Sequence, residues 1–414
     1  MEIFKPFLGR SYFNKFEKSN NFSRFVCPYN FEVKSQRKIA ALTNNEYNVF
    51  NLKDDRYGRE KFRSWLEGSI LVSSKKLIFY IYEMSYKVSG VLYSVLGIAG
   101  ALKLPEEKDE FVVTCKEAVS GEVEKNFEFL KEFGFSSSPV CAFFEEKDEA
   151  RFNNIIKNKM LSSYIYKAKH DNVVHKIWKV EEKENIDFLV DFFKDKVYYI
   201  FSGVEKFEAA VKYRDYLREN GVELKEDQNY ILGLVFLKSS LNMTMLPLHR
   251  IVSGVYVFDE QDILKKASKY FDVKRCRTLD SMRNSLFNFR RQNKISFGIY
   301  ADEKYSIFSL KDEKVLDDCY SDFSPFEKMD SFVLDRLFLN EILNVDKSDI
   351  SYCNVDLFAT NCVDCGDAFF STYLSAVRSS EFFNILKLKK KLPQRSYSFF
   401  PNPVEGLLFY VLRE

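Results

Sequence analysis

The sequence predicts an α+β fold (mixed α/β), with mixed sheets, hairpins and packed helices. Two observations predict this class. Apolar runs of strand length alternate with segments whose apolar residues recur at helical spacing. Several neighbouring runs are also joined by short polar turns typical of hairpins, which a purely parallel sheet does not contain. With 42 Phe and 24 Tyr among 414 residues, the chain has enough apolar side chains for large cores.

The first part of the chain, residues 1–180, is predicted to be an N-terminal α/β domain. Its helices are expected over residues 33–42, 58–68, 121–133 and 147–159. Extended segments are expected at 47–52 (YNVFNL), 77–86, 90–104 and 139–145. Two further strands, 162–169 and 173–180, are predicted to form a hairpin through His170, Asp171 and Asn172.

The second part, residues 181–414, repeats the alternation and is predicted to be a C-terminal α/β domain. Helices are expected over residues 183–194, 204–217, 259–270, 280–291 and 332–343. Strands are expected over residues 197–201, 230–238, 295–300, 305–311 and 406–412. Ala301-Asp302-Glu303-Lys304 is predicted to close a second hairpin. A change in pattern near Val180 suggests the boundary between the two parts.

Composition and charge exclude several classes of function. The net charge is +2, from 62 basic and 60 acidic residues, so no nucleic-acid partner is indicated. The longest uncharged run, Val88 to Leu102, is shorter than the roughly 20 residues that a membrane helix needs. The N-terminus does not resemble a secretory signal, and a cytoplasmic protein is therefore expected. With three histidines and only one C-x-x-C, at Cys362 and Cys365, no metal site is predicted.

The stretch most suggestive of a functional site is YYIFSGVEKFEAAVKYRDYL. Its buried strand ends at Ser202 and Gly203 and passes directly into a helix. A helix N-terminus after such a turn is a place where proteins bind anions or position catalytic side chains. The turn here carries Glu205 and Lys206 but no histidine.

Several segments in order resemble the prokaryotic domain-of-unknown-function family numbered ten-fifteen. The segments that carry the resemblance are FKPFLGRSY, VCPYNF, YNVFNL, SWLEGSIL, IFYIYEMSY, HKIWKV, LPLHRIV and LPQRSYSFFPNPVEGLLF. The family's distinctive string, A-D-G-H-H-R-Y-E-T-A, is similar to a turn of the ParB and sulfiredoxin superfamily. Some members of that superfamily bind nucleotides, and some of these phosphorylate a free amino acid. The resemblance implies a ParB/sulfiredoxin-like element around residues 183–252.

The polar residues of the family's motifs are replaced in this chain. When residues 201–210 are aligned with the family string, Gly203 and Glu208 match it. Ser202 stands where the string has aspartate, and Lys206 stands where it has arginine. Val204 and Glu205 stand where the family has two histidines. A second motif, P-H-E followed by D-R, falls on Thr114-Cys115-Lys116 and Lys125-Asn126, with none of its functional side chains.

These replacements weaken the case for a phosphate site at the turn. A helix N-terminus favours a phosphate by about 0.3–1 kcal/mol. A carboxylate at Glu205 opposes such an anion, and Lys206 offsets part of that repulsion. Glu205 and Glu208 are the candidate catalytic bases, with Ser202, Gly203 and Lys206 as candidate ligand-binding residues. The alternative is that both glutamates only stabilise the start of the helix through its dipole.

Two further places match the family and carry candidate ligand-binding residues. His249 and Arg250 could hold a phosphate or carboxylate, or could form a buried structural ion pair. Arg395 and Ser396 stand at the family's K-S positions after a lysine run. They could hold an anion, or could belong to a solvated charged face.

The sequence supports two hypotheses about function. The first is a catalytically degenerate, non-enzymatic member of the family that binds a small anionic ligand or a protein partner. The alternative is a diverged nucleotide-dependent phosphotransferase acting on a small polar metabolite such as serine, with ATP or ADP and Mg²⁺ as cofactors.

Overall fold

The chain forms two compact units in a computed structural model that describes residues 2–13, 22–29, 36–53, 57–254, 260–319 and 329–412. The first unit contains residues 1–243 together with 401–414, and the second contains residues 244–400. The units thus divide after residue 243 rather than after residue 180, where the change in sequence pattern lies.

The first unit contains a nine-stranded mixed sheet and several two-stranded ladders. Its strands before residue 243 are β1 (Phe4–Lys5), β2 (Arg10–Tyr12), β3 (Cys27–Pro28), β4 (Leu71–Ser73), β5 (Phe79–Val88), β6 (Val91–Lys103), β7 (Val112–Thr114), β8 (Phe135–Ser136), β9 (Val140–Phe144), β10 (Tyr166–His170), β11 (Val173–Val180), β12 (Tyr198–Ser202) and β13 (Tyr230–Leu237). The large sheet has the order β10-β11-β5-β6-β13-β9-β12-β7, with β1 also paired to β6. Because β11 and β12 belong to one sheet, residue 180 lies within a single hydrogen-bonded structure.

Helices of the first unit connect these strands. They are α1 (Gln36–Thr43), α2 (Gly58–Glu67), α3 (Ser120–Phe133), α4 (Ala150–Met160), α5 (Lys183–Phe192) and α6 (Val204–Glu219). The helix that matters most for function is α6, because it follows β12 directly through Gly203. Strand β12 runs parallel to β7, so their carboxyl ends lie at the same edge of the sheet.

The second unit is built on a six-stranded antiparallel sheet, β16-β18-β17-β20-β15-β19, with a separate β14–β21 ladder. Its strands are β14 (Thr244–Leu246), β15 (His249–Val252), β16 (Phe271–Cys276), β17 (Ser296–Ala301), β18 (Lys304–Leu310), β19 (Ile350–Cys353), β20 (Phe370–Tyr373) and β21 (Ser398–Phe400). Its helices are α7 (Glu260–Ala267), α8 (Leu279–Arg291), α9 (Lys314–Cys319), α10 (Asp330–Val333), α11 (Asp356–Asp364) and α12 (Ser379–Lys387). Helix α10 continues into a π-helical segment, Leu334–Ile342.

Both faces of this second sheet are covered by helices. Phe297 and Phe308 pack on one face with Phe338 of the π-helical segment. The opposite face packs Ile307 against Met282 of α8. The apolar side chains alternate between the two faces because successive residues of a strand point to opposite sides of the sheet.

The C-terminal residues return to the first unit. Strand β22 (Val404–Glu405) pairs with β3, and β23 (Tyr410–Val411) pairs with β8. This return places Glu405 opposite Cys27, close to the N-terminal part of the chain.

The mixed α/β class is confirmed, as are both predicted hairpins, through residues 170–173 and 301–304. The prediction of an extended YNVFNL segment is wrong, because Val49–Lys53 forms a 3₁₀ helix. Residues 33–35 and 259 of two predicted helices lie outside the described residues. The segment 183–252 comprises α5, β12, α6 and β13 in the first unit, with β14 and β15 in the second.

Candidate functional site

The strand–glycine–helix turn is formed as the sequence predicts. Gly203 has φ 77°, in the left-handed region that favours glycine. A Cβ added at this residue would lie 2.7 Å from the hydroxyl oxygen of Tyr29, so the position excludes a side chain on two grounds. Val204 is fully buried at the start of α6. Val204, which the resemblance sets against the first histidine of the family string, is therefore part of the hydrophobic core.

Glu205 forms an ion pair with Lys116. The Lys116 Nζ donates to Glu205 Oε1 at 3.1 Å, and each side chain is only 14% exposed. Lys116 reaches this position because it lies two residues after β7, whose carboxyl end meets that of β12 at the same sheet edge. On the alignment that the resemblance implies, the pair joins a replaced residue of one motif to a replaced residue of the other, and their charges compensate each other.

Lys206 forms a second ion pair, with Glu405. Its Nζ lies 3.0 Å from Glu405 Oε1 and 4.7 Å from the centre of the Tyr29 ring. Glu405 is fully buried, and its second oxygen has no hydrogen-bond partner among the described residues. The sequence did not identify Glu405 as a site residue; its only signal was its place in a segment that resembles the family.

The hydroxyl groups around the turn are held by local hydrogen bonds. Tyr29 donates to the carbonyl oxygen of Pro139 at 3.0 Å, and the side chain of Ser202 also hydrogen-bonds to Tyr29. Burial raises the pKa of Tyr29 well above its ordinary value. The phenol therefore stays neutral and acts as a packed polar group beneath the turn.

Three cysteines near the turn are buried, and burial disfavours their thiolate forms. Cys141 pairs with Ser202 across the β9–β12 ladder, and burial raises the pKa of its thiol to about 12. Burial is also the largest cause of the raised pKa values of Cys27 and Cys115. Since the thiolate is the nucleophilic form, none of these cysteines is prepared for covalent catalysis.

Glu208 lies one turn further along α6, in a different environment. It lines an open groove of about 560 Å³ with Val211, Lys212 and Phe127 of α3. Among the described residues, no group of three or more His, Cys, Asp or Glu side chains could hold a metal ion.

His249, in the second unit, is buried and has both ring nitrogens engaged. Its Nδ1 accepts a hydrogen bond from the Leu374 N–H at 3.2 Å, so its Nε2 carries the proton that faces Asp356. Asp356 also pairs with Arg283. Burial opposes ionisation of Asp356, but hydrogen bonds from His249 and Arg283 hold its pKa below the usual value.

Arg250 is fully buried and binds Asp335 through two parallel hydrogen bonds, of 2.7 and 2.5 Å. It also donates to the carbonyl oxygens of Leu248 and Arg395. This arrangement is the buried ion pair that the sequence left open as one of two alternatives for Arg250. The guanidinium ties β15 to the π-helical segment that carries Asp335.

Arg395 and Ser396 lie in the same part of the second unit as Arg250. The guanidinium of Arg395 stacks on the Tyr352 ring, 4.9 Å from its centre. Ser396 is buried and donates to the carbonyl oxygen of Pro393 at 2.6 Å. The second unit thus brings Arg250, Arg395 and Ser396 together, while Ser202, Gly203, Glu205 and Lys206 belong to the first unit.

The chain belongs to the family described as "Protein of unknown function (DUF1015)", which it matches over residues 4–332. The resemblance carried by segments that follow the family's order along the chain is therefore confirmed. No curated protein matches the chain. Within the described residues, no helix is long and apolar enough to cross a membrane.

Three solved structures illustrate the similarity to known folds. A conserved hypothetical protein from Pyrococcus furiosus has a TM-score of 0.40 and 11% identity, covering 75% of this chain and 93% of that one. A free serine kinase in complex with AMP has a TM-score of 0.38 and 10% identity, covering 75% and 90%. SbnI with a C-terminal truncation, from Staphylococcus aureus, has a TM-score of 0.36 and 7% identity, covering 74% and 85%. With TM-scores of 0.40 or less and identities of 11% or less, these similarities do not assign a function to this chain.

Proposed function

We propose that this protein is a non-catalytic member of the DUF1015 family that acts by binding a ligand or a partner. The observation that carries the proposal is the Lys116–Glu205 ion pair. It joins residues at the replaced positions of both polar motifs, so each motif has lost its chemistry and the replacements stabilise each other.

The charge balance at the turn supports this proposal. A general base must accept a proton from its substrate, but Glu205 Oε1 already accepts a hydrogen bond from the Lys116 ammonium group. The other cation of the turn, Lys206, is matched by the buried carboxylate of Glu405. Each lysine therefore already has a carboxylate partner, which a phosphate would have to displace.

The second candidate is a diverged phosphotransferase that uses ATP or ADP with Mg²⁺ on a small polar metabolite such as serine. It is favoured by the turn itself, since the N-terminus of α6 lies beside Lys116 and Lys206, which could hold phosphate oxygens. The residues present fit Mg²⁺ poorly, because Glu205 and Glu405 are each paired with a lysine. The metal would have to be held mainly by the phosphates.

Incubation of the full chain with MgATP or MgADP, with and without serine, separates the two candidates. We expect no phosphoryl transfer or nucleotide hydrolysis by ³¹P NMR, and no nucleotide-dependent change in melting temperature. Any ligand present at about 100 times its Kd would raise the unfolding free energy by about 2.7 kcal/mol, a readily measured effect.

The variant Glu205→Gln identifies the source of any activity that is seen. Turnover that disappears in Glu205→Gln but persists in Glu219→Gln, at the other end of α6, would establish the phosphotransferase and contradict our proposal. Activity that survives both Glu205→Gln and Glu208→Gln would point to a contaminating enzyme.

A further inference from the structure

The β5–β6 hairpin of the first unit extends past the strands on either side of it. Strand β11 pairs with β5 only as far as Ser85, and β13 pairs with β6 only as far as Ile98. The last three residue pairs of the hairpin therefore have no neighbouring strand within the described residues. The turn between them consists of Ser89 and Gly90, both with positive φ, as is typical of a tight two-residue hairpin turn.

The end of this hairpin is apolar on both of its faces. Val88 and Val91, which are 48% and 56% exposed, form the last pair and share one face. Leu92 is 64% exposed and lies on the opposite face, because successive residues of a strand point to opposite sides. Tyr93 follows on the face of the valines and stacks on Tyr86, its partner across the hairpin. Clustered exposed apolar groups of this kind mark surfaces that bind a protein or a membrane.

Lysines lie on the face of the sheet that carries Leu92. Lys87 is directly opposite Leu92 across the hairpin. Lys167 and Lys169 belong to the edge strand β10, and the register through β11 places them on the same face. All three lysines are exposed, and none has an ionic partner among the residues that the structure describes. Their ammonium groups are therefore available to an external anion.

Strands β5, β6, β10 and β11 and their two turns contain only two carboxylates. Glu83 is buried, pairs with Lys176 and accepts a hydrogen bond from Ser94. Asp171, in the turn between β10 and β11, lies 3.2 Å from the ring nitrogen Nε2 of His170. This end of the sheet therefore carries a net positive charge, although the chain as a whole has a net charge of only +2.

An anionic lipid surface fits these features better than a protein partner does. A flat protein partner would cover one face of the hairpin and leave the apolar groups of the other face in water. Headgroups and acyl chains surround an inserted turn on all sides, so Leu92 and both valines leave water together. Anionic headgroups attract nearby lysines, and tyrosine is favoured at the boundary between headgroups and hydrocarbon.

We propose that the β5–β6 hairpin docks this protein onto an anionic lipid surface. The three apolar side chains enter the boundary between headgroups and acyl chains, and the three lysines bind anionic groups of the lipids. Such an association requires no membrane-spanning helix. It does not involve the turn at Gly203, so its test is independent of whether that turn binds a nucleotide.

Sedimentation of the full chain with lipid vesicles tests the proposal. We expect binding to phosphatidylcholine vesicles that contain phosphatidylserine, and at least about tenfold weaker binding to vesicles of phosphatidylcholine alone. Added salt should weaken the binding, because it screens the lysines from the headgroups. Failure to sediment with the anionic vesicles, or equal binding to the two kinds of vesicle, would overturn the proposal.

Substitution of one apolar residue tests the insertion of the hairpin end. Leu92→Ser should weaken binding to the anionic vesicles about tenfold, because less apolar area leaves water. The matched control is Leu77→Ser, since Leu77 is 54% exposed but precedes β5 at the opposite end of the hairpin. Equal losses in the two variants, or no loss in Leu92→Ser, would show that the hairpin end does not enter the lipid.

Charge variants test the electrostatic contacts. Lys87→Gln and Lys169→Gln should each weaken binding about fivefold, the effect of one lysine near an anionic surface. Lys75→Gln and Lys76→Gln change exposed lysines at the opposite end of the hairpin and should leave the affinity unchanged. Circular dichroism checks that every variant is folded. Full binding by both Lys87→Gln and Lys169→Gln would contradict the assignment of this face to the lipid.

Discussion

Single residues at the turn show how a change of charge in one place is compensated in another. Lys116 and Glu205 are 89 residues apart in sequence, and the resemblance sets each of them at a different motif of the family. Their side chains are mostly buried, so loss of either partner leaves a charge that water solvates only in part.

The first prediction concerns the coupling between these two residues. Lys116→Met and Glu205→Gln should each destabilise the protein, and the double variant should recover part of the loss. We expect a coupling energy of about 1–3 kcal/mol, between the values typical of exposed and of buried pairs. Urea unfolding of the four proteins measures it, and strictly additive effects would show that the pair contributes nothing.

The second prediction compares two lysines of the same helix. Lys206→Met leaves the carboxylate of Glu405 buried without its cation, so we expect a loss of about 3–5 kcal/mol in unfolding free energy. The control Lys212→Met removes an exposed ion pair with Glu124, which should cost less than about 1 kcal/mol. Similar losses in the two variants would argue against a special role for the buried pair.

At the level of elements, local patterns explain most helices and hairpins, and side-chain hydrogen bonds explain the exception. The segment YNVFNL is rich in strand-forming residues, yet Asn48 donates to the carbonyl oxygens of Arg24 and Val26 and accepts from the Phe50 N–H. Such bonds satisfy the backbone locally and compete with a strand ladder. The sequence pattern alone does not reveal that Arg24 and Val26 are near.

The third prediction concerns the connection between β12 and α6. Gly203→Ala should destabilise through left-handed strain of about 1–2 kcal/mol and through the contact with Tyr29. Gly221→Ala is the matched control, because Gly221 has φ 70° but no atom within 4 Å of its added Cβ. Chemical denaturation should show a larger loss for Gly203→Ala than for Gly221→Ala.

The substitution Tyr29→Phe separates strain from steric contact. In that background the colliding hydroxyl oxygen is absent, so the cost of Gly203→Ala should fall towards that of Gly221→Ala. An unchanged cost would mean that backbone strain alone makes glycine necessary at residue 203.

At the level of the whole molecule, the two units have titrating groups that respond to pH in opposite directions. His175, in the first unit, is buried and hydrogen-bonded to Tyr82, and burial lowers its pKa to about 3. Asp330, in the second unit, is also buried, and burial raises its pKa to about 6. Protonation therefore opposes folding at His175 and favours it at Asp330.

The fourth prediction follows from the sign of each shift. Between about pH 3 and pH 6.5 the unfolded chain binds more protons at His175, so the first unit should lose up to about 1.4 kcal/mol per unit of falling pH. Both tryptophans, Trp65 and Trp178, are buried in this unit, so tryptophan fluorescence reports its unfolding. His175→Asn should flatten the pH dependence, whereas His170→Asn should reduce it only slightly, because repulsion from His170 is the smaller of the two causes that lower the pKa of His175.

For Asp330 the folded state binds the extra proton, so the second unit should become less stable as the pH rises from about 4 to 6. Hydrogen exchange at the Ser296 N–H, which donates to Asp330, reports this change. Asp330→Asn should remove the dependence, and an unaltered pH profile in that variant would contradict the assignment.

The sequence by itself determined the fold class, most elements, both hairpins and the family. These features depend on local periodicity, on the residues of the turns and on the order of the segments along the chain. All of these are properties of the sequence itself. It also proposed Glu205, Lys206 and Arg250 as candidate site residues, without showing which partners compensate their charges.

Only the tertiary structure decided those partners and the division of the chain into units. Lys206 and Glu405 are 199 residues apart, and Arg250 and Asp335 are 85 apart. Burial and ion pairing are properties of non-local contacts, which no periodicity along the chain encodes.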